Sequence, residues 1–169
     1  MDVSAIQKKL AARFGPAVGP VMPGRLESWI EVDADRIDEV AAFLATDPEL
    51  EFDCLSNLSG VDYPDKGSIE VVYRLFSYRH RHELTIKVDA DRNDPRVKTV
   101  ERVWPAANWL EREVFDLLGV HFEGHSDLRR ILLPEDWIGH PLRKDYVEAP
   151  EYHGISTIRE SILNVPGRS

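Results

Sequence analysis

The order of amphipathic segments predicts an α+β fold: a two-layer domain with helices packed on a mixed, largely antiparallel sheet, followed by an irregular C-terminal segment. Three observations carry this. A two-residue alternation of apolar side chains runs from Ile69 to Ser77 and again from His82 to Val88. Apolar residues recur at helical spacing in three other stretches. Past about residue 122 this periodicity is lost, and glycine, proline and charge become dense.

In chain order, Val3, Ile6, Leu10 and Phe14 share one helical face, and Gly15-Pro16 stops the helix. Gly19 to Gly24, with Pro20 and Pro23, reads as a loop, and Leu26 to Val32 as a strand. Asp33 or Asp35 is placed to cap a helix whose apolar face is Ile37, Val40, Phe43 and Leu44 and which Asp47-Pro48 ends. Phe52 to Leu58 predicts a strand broken by Ser59-Gly60. The two alternating runs, joined around Arg79-His80-Arg81, predict an antiparallel hairpin. Its first strand is apolar on much of both faces and belongs at the centre of the sheet; its second keeps one charged face. Asp89 to Pro95 is a turn-rich loop. A helix from about Ala106 to Leu118 carries Leu110, Val114, Leu117 and Leu118 on one face, with Gly119 as a left-handed cap. The expected organisation is a core domain over residues 1–122 and a partner-binding segment over 123–169.

Bulk properties narrow the function. The chain has 169 residues, 43% hydrophobic and 30% charged, which suits one globular domain with an attached segment. Lys plus Arg number 21 and Asp plus Glu 30, and the net charge of −9 argues against sequence-independent nucleic-acid binding. No apolar run is long enough to span a bilayer, and Met1 to Phe14 lacks the pattern of a secretory signal, so a cytoplasmic protein held at any membrane by partners is expected. With Cys54 alone, no disulfide forms within the chain and no cysteine cluster exists for zinc or iron–sulfur; Cys54 reads as a small buried apolar residue.

Cofactor and catalytic patterns are equally sparse. No glycine-rich strand–turn–helix cradle for a nucleotide is present. His121 and His125 have the spacing of helical metal ligands, but Gly119 and Gly124 oppose a helix there. His80 and His82 would share a strand face. Glu111 and Glu113, two apart on a helix, point in different directions and cannot converge on one substrate. No metal, cofactor or catalytic residue is therefore expected, and a free-standing enzyme using a carboxylate pair is the weaker, different-class reading.

The residues with most to say lie between Trp104 and Tyr146. Glu111, Arg112, Glu113 and Asp116 crowd two turns of one helix, which ordinarily marks a solvated face. Arg129, Arg130, Arg143, Lys144 and Asp145 follow in loops beside Leu132, Leu133, Trp137 and Tyr146. Arginine mixed with aromatic residues in loops has the composition of a protein–protein interface. The partner-binding candidates are Glu111, Arg112, Glu113, Arg129, Arg130, Trp137, Arg143, Lys144 and Tyr146, with Arg112 and Arg129 expected to pair with Glu111, Glu113 or acids on a neighbour. In the tail, Val147 to Ser169, the spacing of Ile155, Ile158, Ile162 and Leu163 predicts a short helix that needs another surface, this domain's own sheet or a neighbour's, and it is expected to run along a neighbouring subunit and gain order there.

The runs Trp104-Pro105-Ala106-Ala107-Asn108-Trp109-Leu110-Glu111-Arg112-Glu113-Val114-Phe115-Asp116-Leu117-Leu118-Gly119, Asp127-Leu128-Arg129-Arg130-Ile131-Leu132-Leu133-Pro134-Glu135-Asp136-Trp137 and Gly139-His140-Pro141-Leu142-Arg143-Lys144-Asp145-Tyr146 resemble the signature region of the thirty-kilodalton, or C-type, subunit of proton-pumping NADH–quinone oxidoreductase (respiratory complex I). Leu58-Ser59-Gly60-Val61-Asp62-Tyr63 and Val71 to Tyr78 look like that family too. Ser126 stands where the family pattern suggests proline, and the N-terminal region is short for it. The resemblance implies a structural, non-redox subunit of the peripheral arm, with no active site of its own, packed against the subunits of the quinone module at the cytoplasmic face of the bacterial inner membrane. It also implies that FMN, iron–sulfur clusters and quinone sit on other subunits. An equivalent subunit of a membrane-bound hydrogenase, or of another complex I-like dehydrogenase, would have the same fold and partner surface.

Overall fold

The computed structural model describes residues 1–25 and 27–158. Helix α1 (Val3–Phe14) begins where the Asp2 side chain accepts the Ala5 N–H at 2.8 Å, and Gly15, with φ of +59°, ends it. Its Ile6, Leu10 and Phe14 are buried. Helix α2 (Ile37–Thr46) buries Ile37, Val40, Ala41 and Leu44. Its N-terminal cap is Arg36, which makes no side-chain capping bond, so the expected Asp33 or Asp35 cap is not formed. Asp38 and Glu39 instead place negative charge at the positive end of the helix dipole. Asp47 ends α2 as expected.

Five strands form the main sheet: β1 (Val18–Met22), β2 (Trp29–Val32), β3 (Cys54–Tyr63), β4 (Ser68–Ser77) and β5 (His82–Asp91), in the order β1-β2-β5-β4-β3. The β4–β5 hairpin and the β3–β4 and β1–β2 pairs are antiparallel; β2 and β5 run parallel, which makes the sheet mixed. In register, Leu58, Tyr73 and Ile86 stand side by side, as do Leu55, Leu75 and Leu84, and these buried rows form the core face. On the opposite face, Lys87 pairs with Glu70 at 2.9 Å and lies over the Trp29 ring.

Several expectations change here. The predicted 19–24 loop is largely strand β1, an edge strand where Pro20 needs no partner for a missing N–H. β5, not β4, holds the middle position, and β4 lies between it and β3. β5 also runs through Asp91, into the predicted loop. Ser59-Gly60 does not break β3: pairing with β4 continues to Tyr63. Gly60 serves packing. A Cβ there would lie 2.4 Å from Leu118 Cδ1 and 3.1 Å from Val114 Cγ1, so its absence lets helix α3 (Ala107–Leu118) lie close to the sheet. Cys54 is half-buried at the start of β3, not in the core.

Strands β6 (Arg96–Lys98) and β7 (His121–Glu123) flank α3 in sequence and pair parallel to each other, so β6-α3-β7 is a small crossover unit. Gly119, with φ of +79°, makes the left-handed turn out of α3. The chain from 124 to 150 has no regular structure. It ends in a two-residue hairpin, β8 (Glu151–Tyr152) with β9 (Ile155–Ser156), so Ile155 sits on a strand and not on the predicted helix. Leu26, Ile162 and Leu163 lie outside the described residues.

Replacing Gly60 by Ala forces Leu118 and Val114 of α3 to shift where they pack on β3. We expect a loss of about 1–3 kcal/mol, the usual range for overpacking a well-filled interior, read from denaturant midpoints.

Candidate partner-binding surface

Helix α3 distributes its charges to different depths. Glu111, Arg112 and Asp116 are buried, and Glu113 is exposed. Glu111 accepts from the Thr99 hydroxyl at 2.5 Å and from the Val100 N–H at 2.8 Å. Around it, His125 Nε2 donates to the Asn108 carbonyl at 3.1 Å and sits 3.9 Å from the Glu111 carboxylate and 3.6 Å from Glu101. Glu101 itself accepts from Asn108 and from the N–H and hydroxyl of Ser126. His125 Nδ1 accepts the Asp127 N–H at 3.0 Å, which leaves Nε2 as the donor to Asn108. No full cation reaches Glu111. Burial pushes its carboxyl up to about 7, only partly opposed by the Thr99 and Val100 bonds, and raised further by Glu101. Tyr73, buried in β4, feels the same carboxyl, and its hydroxyl is held well above its ordinary value by burial and Glu111.

Asp116 is the opposite case. Burial would raise its carboxyl, but the N–H groups of Leu133, Leu132 and Ile131 donate to it at 2.9, 2.8 and 3.0 Å. Arg130 Nη1 adds a charged bond at 3.0 Å, and the net effect lowers the group below the usual carboxylate range. Arg130 also reaches the Gly139 carbonyl at 3.1 Å.

Two further anchors hold the irregular segment. At the C-terminus of α3, Arg143 Nε donates to the Leu118 carbonyl at 2.7 Å, the Leu142 N–H to Leu117 at 3.0 Å and His140 Nδ1 to Asp116 at 2.9 Å. These donors satisfy carbonyls that a helix end leaves free, with a cation at the negative end of its dipole. On β3, buried Asp62 accepts from Arg92 at 2.7 and 3.0 Å and from the Lys144 N–H at 2.8 Å. The Arg92 guanidinium is the main reason its carboxyl is held low. Arg92 also pairs with Asp145 at 2.5 Å.

The sequence candidates thus fall into two sets. Arg130 and Arg143 are internal struts, and Glu111 is enclosed. Arg112 lies over the Trp109 ring and donates to the Arg129 carbonyl at 3.2 Å, with Asp127 at 4.0 Å. Neither Arg112 nor Arg129 pairs with Glu111 or Glu113: Glu111 is turned to Thr99 and Val100, and Arg129 takes Asp127 at 2.9 Å. Glu113, Arg129 and Lys144 project outward, and Trp137 and Tyr146 are half-buried, Trp137 against Tyr152 and Tyr146 against Gly139. The outward side of the segment carries exposed Leu132, Ile138, Leu142 and Val147. Sequence reasoning gave no role to Asp62, Arg92, Thr99 or Glu101. Asp62 had a usable signal, being the one charge in an otherwise uncharged strand.

Among the described residues no three His, Cys, Asp or Glu side chains group as a metal site. His80 lies in the β4–β5 turn instead of on a strand face, its ring stacked on His82 at 5.5 Å. The two rings face the Pro48 and Leu50 carbonyls.

Residues 30–152 match the family model described as respiratory-chain NADH dehydrogenase, 30 Kd subunit. The chain belongs to this family. Its sequence is 50% identical over 146 residues to the C-type subunit of NADH-quinone oxidoreductase from Roseiflexus castenholzii, covering 86% of this chain and 84% of the relative. It is 45% identical to the subunit of the same name from Chloroherpeton thalassium over 85% of this chain, but spans 60% of that longer relative. Among solved structures, a trypsin-resistant fragment of Nqo5 matches with a TM-score of 0.60 and 30% identity, covering 76% of this chain and all of the fragment. A chain of an archaeal membrane-bound sulfane sulfur reductase, described as a respiratory membrane complex, matches with a TM-score of 0.68 and 29% identity over 85% of this chain and 84% of that one.

Two outcomes follow for this family member. Asp116→Asn strips the charge that holds Arg130 and turns one of its acceptor oxygens into a donor. We expect a loss of about 3–5 kcal/mol, with cleavage by trypsin after Arg129 and Arg130 in the still-folded fraction. For Glu111, the folded-state value lies above the ordinary 4.5, so the protonated form is favoured by folding. Its stabilising contribution is complete below about pH 4.5 and is lost as pH rises through about 7, by up to about 3 kcal/mol. Glu111→Gln removes that alkaline loss, and thermal melts of both proteins from pH 5 to 8.5 measure the difference.

Proposed function

We propose that the chain is a non-redox structural subunit of the peripheral arm of an NADH–quinone oxidoreductase, and that residues 123–169 form its partner-binding segment against the quinone module. The observation that carries this is the stapling of an irregular segment by Asp116, Asp62 and the C-terminus of α3, with Leu132, Ile138, Leu142 and Val147 left facing outward. A free protein gains nothing by fixing apolar side chains toward water. A subunit gains a pre-ordered docking surface, which lowers the entropy cost of assembly. Glu113, Arg129 and Lys144 give this surface a charged rim, and Trp137 and Tyr146 aromatic anchors.

In this reading the chain binds no cofactor. FMN, iron–sulfur clusters and quinone sit on neighbouring subunits, and this subunit fixes the distances over which electrons pass between them. No helix among the described residues is long and apolar enough to cross a membrane, so the chain reaches the cytoplasmic face of the bacterial inner membrane through its partners. The likeness to the sulfane sulfur reductase chain favours a second reading, the equivalent subunit of another complex I-like assembly such as a membrane-bound hydrogenase.

Affinity purification of a tagged chain from its native host, with mass spectrometry of what accompanies it, tests both. Quinone-module and NADH-oxidising subunits are expected; hydrogenase-type or sulfur-reductase subunits favour the second reading. A monomer with turnover of its own would overturn both. Ile138→Asp should leave the isolated chain within about 0.5 kcal/mol of its original stability while sharply reducing the assembled complex, as seen by native gel.

A further inference from the structure

The two edges of the main sheet are built differently. β1 is five residues long, contains Pro20 and slips in register between Val18 and Val21. These are devices by which proteins blunt an edge against further pairing. β3 has almost none of them. It is ten residues long and contains no proline. Its single acid, Asp62, is turned inward onto Arg92 and the Lys144 N–H, so no charge stands guard along the strand. A register slip at Ser56 is its only irregularity, and from Asn57 to Tyr63 the pairing with β4 is unbroken. Among the described residues, the main chain of 54–63 bonds to no element except β4. The outer N–H and C=O groups of this run therefore have no partner among the described residues.

The edge is also open. Asn57 is exposed, and Ser59, Gly60 and Val61 are half-buried. Helix α3 packs on the core face of β3 at Gly60, so it braces the strand from one side. A long, flat, uncharged edge on a free protein is an aggregation hazard, and in an assembly it is a template.

We propose that the edge of β3 over Asn57–Tyr63 receives an extended strand from another subunit, which continues the sheet as a sixth strand. The proposal rests on the reading of the chain as a subunit of a larger assembly. The occupant is a different polypeptide and not a second copy of this chain. Two copies would bring together molecules each carrying a net charge of −9, with the exposed Asp53 carboxylate beside the joined edge. The matching strand is neutral or basic, and its apolar side chains face Val61 and Tyr63 on the outer side of the sheet. This site is separate from the apolar surface of residues 132–147.

Hydrogen exchange resolved by amide, on the full chain alone and in the purified complex, tests it. In the free chain the N–H groups of 57–63 that point away from β4 should exchange quickly. In the complex they should slow by about a hundredfold or more. A complex in which they exchange as fast as in the free chain overturns this proposal while leaving the assembly reading intact. A chain recovered alone, with no protection gained, overturns both, and protection that appears through concentration-dependent self-association also overturns it. A Ser59→Lys, Val61→Lys double variant changes only side chains on the outer face. It should keep the isolated fold while lowering recovery of the complex about tenfold or more; unchanged recovery counts against the proposal.

Discussion

The carboxylate of Asp116 organises what would otherwise be loose chain. A polypeptide without helix or strand still has one N–H per residue to satisfy. At Ile131, Leu132 and Leu133 three of these in a row converge on a single buried oxygen of α3, while Arg130 takes the other. The arrangement is cooperative in both directions: the carboxylate is tolerable inside only because four donors surround it, and the donors hold their positions only because the charge is there. Asp62 repeats the device on β3 with Arg92 and Lys144. The irregular segment borrows rigidity from a helix and a strand.

Glu111, five residues earlier on the same helix, shows how much the donors matter. It is as closed to solvent as Asp116 but lies under more surrounding protein, and it receives only one hydroxyl and one N–H and no arginine. One acid is therefore pinned ionised and the other is left close to the protonation balance of a neutral solution. The charge-dense stretch of α3 is not a solvated face. Its buried members work inside the fold, and Glu113 alone among its acids points outward.

Much of the scaffold was legible because its signals were local. The alternating runs gave the β4–β5 hairpin, and helical spacing with Gly119 gave α3 and its end. What escaped depended on partners distant in sequence. β1 looks like a loop until β2 lies beside it, and Ser59-Gly60 looks like a break until α3 fills the space above it. β6 and β7 are three residues each, too short for periodicity, and exist because α3 returns the chain parallel to itself. At the candidate surface the residue types were readable but their pairing was not. Whether an arginine faces an acid or a backbone carbonyl depends on where an irregular loop travels, and Arg143 and Arg112 both chose carbonyls.

The mixed sheet has a consequence for how the chain is made. Ile30 of β2 pairs with Ile86 of β5, and the Lys144 N–H reaches Asp62 across 82 residues. A ribosome therefore delivers α1, β1, β2 and α2 well before the strand that closes their side of the sheet exists. The β3–β4–β5 meander needs only neighbouring chain, whereas β2 must find β5 across the intervening α2, β3 and β4, and the C-terminal segment must find α3 and β3. Topologies dominated by such distant pairings fold slowly, because loop closure must be met before the contacts reward it. The uncharged edge of β3 lies on the other side of the sheet, so closing the β2 side leaves it exposed, and both the unfinished and the finished free chain carry that aggregation hazard.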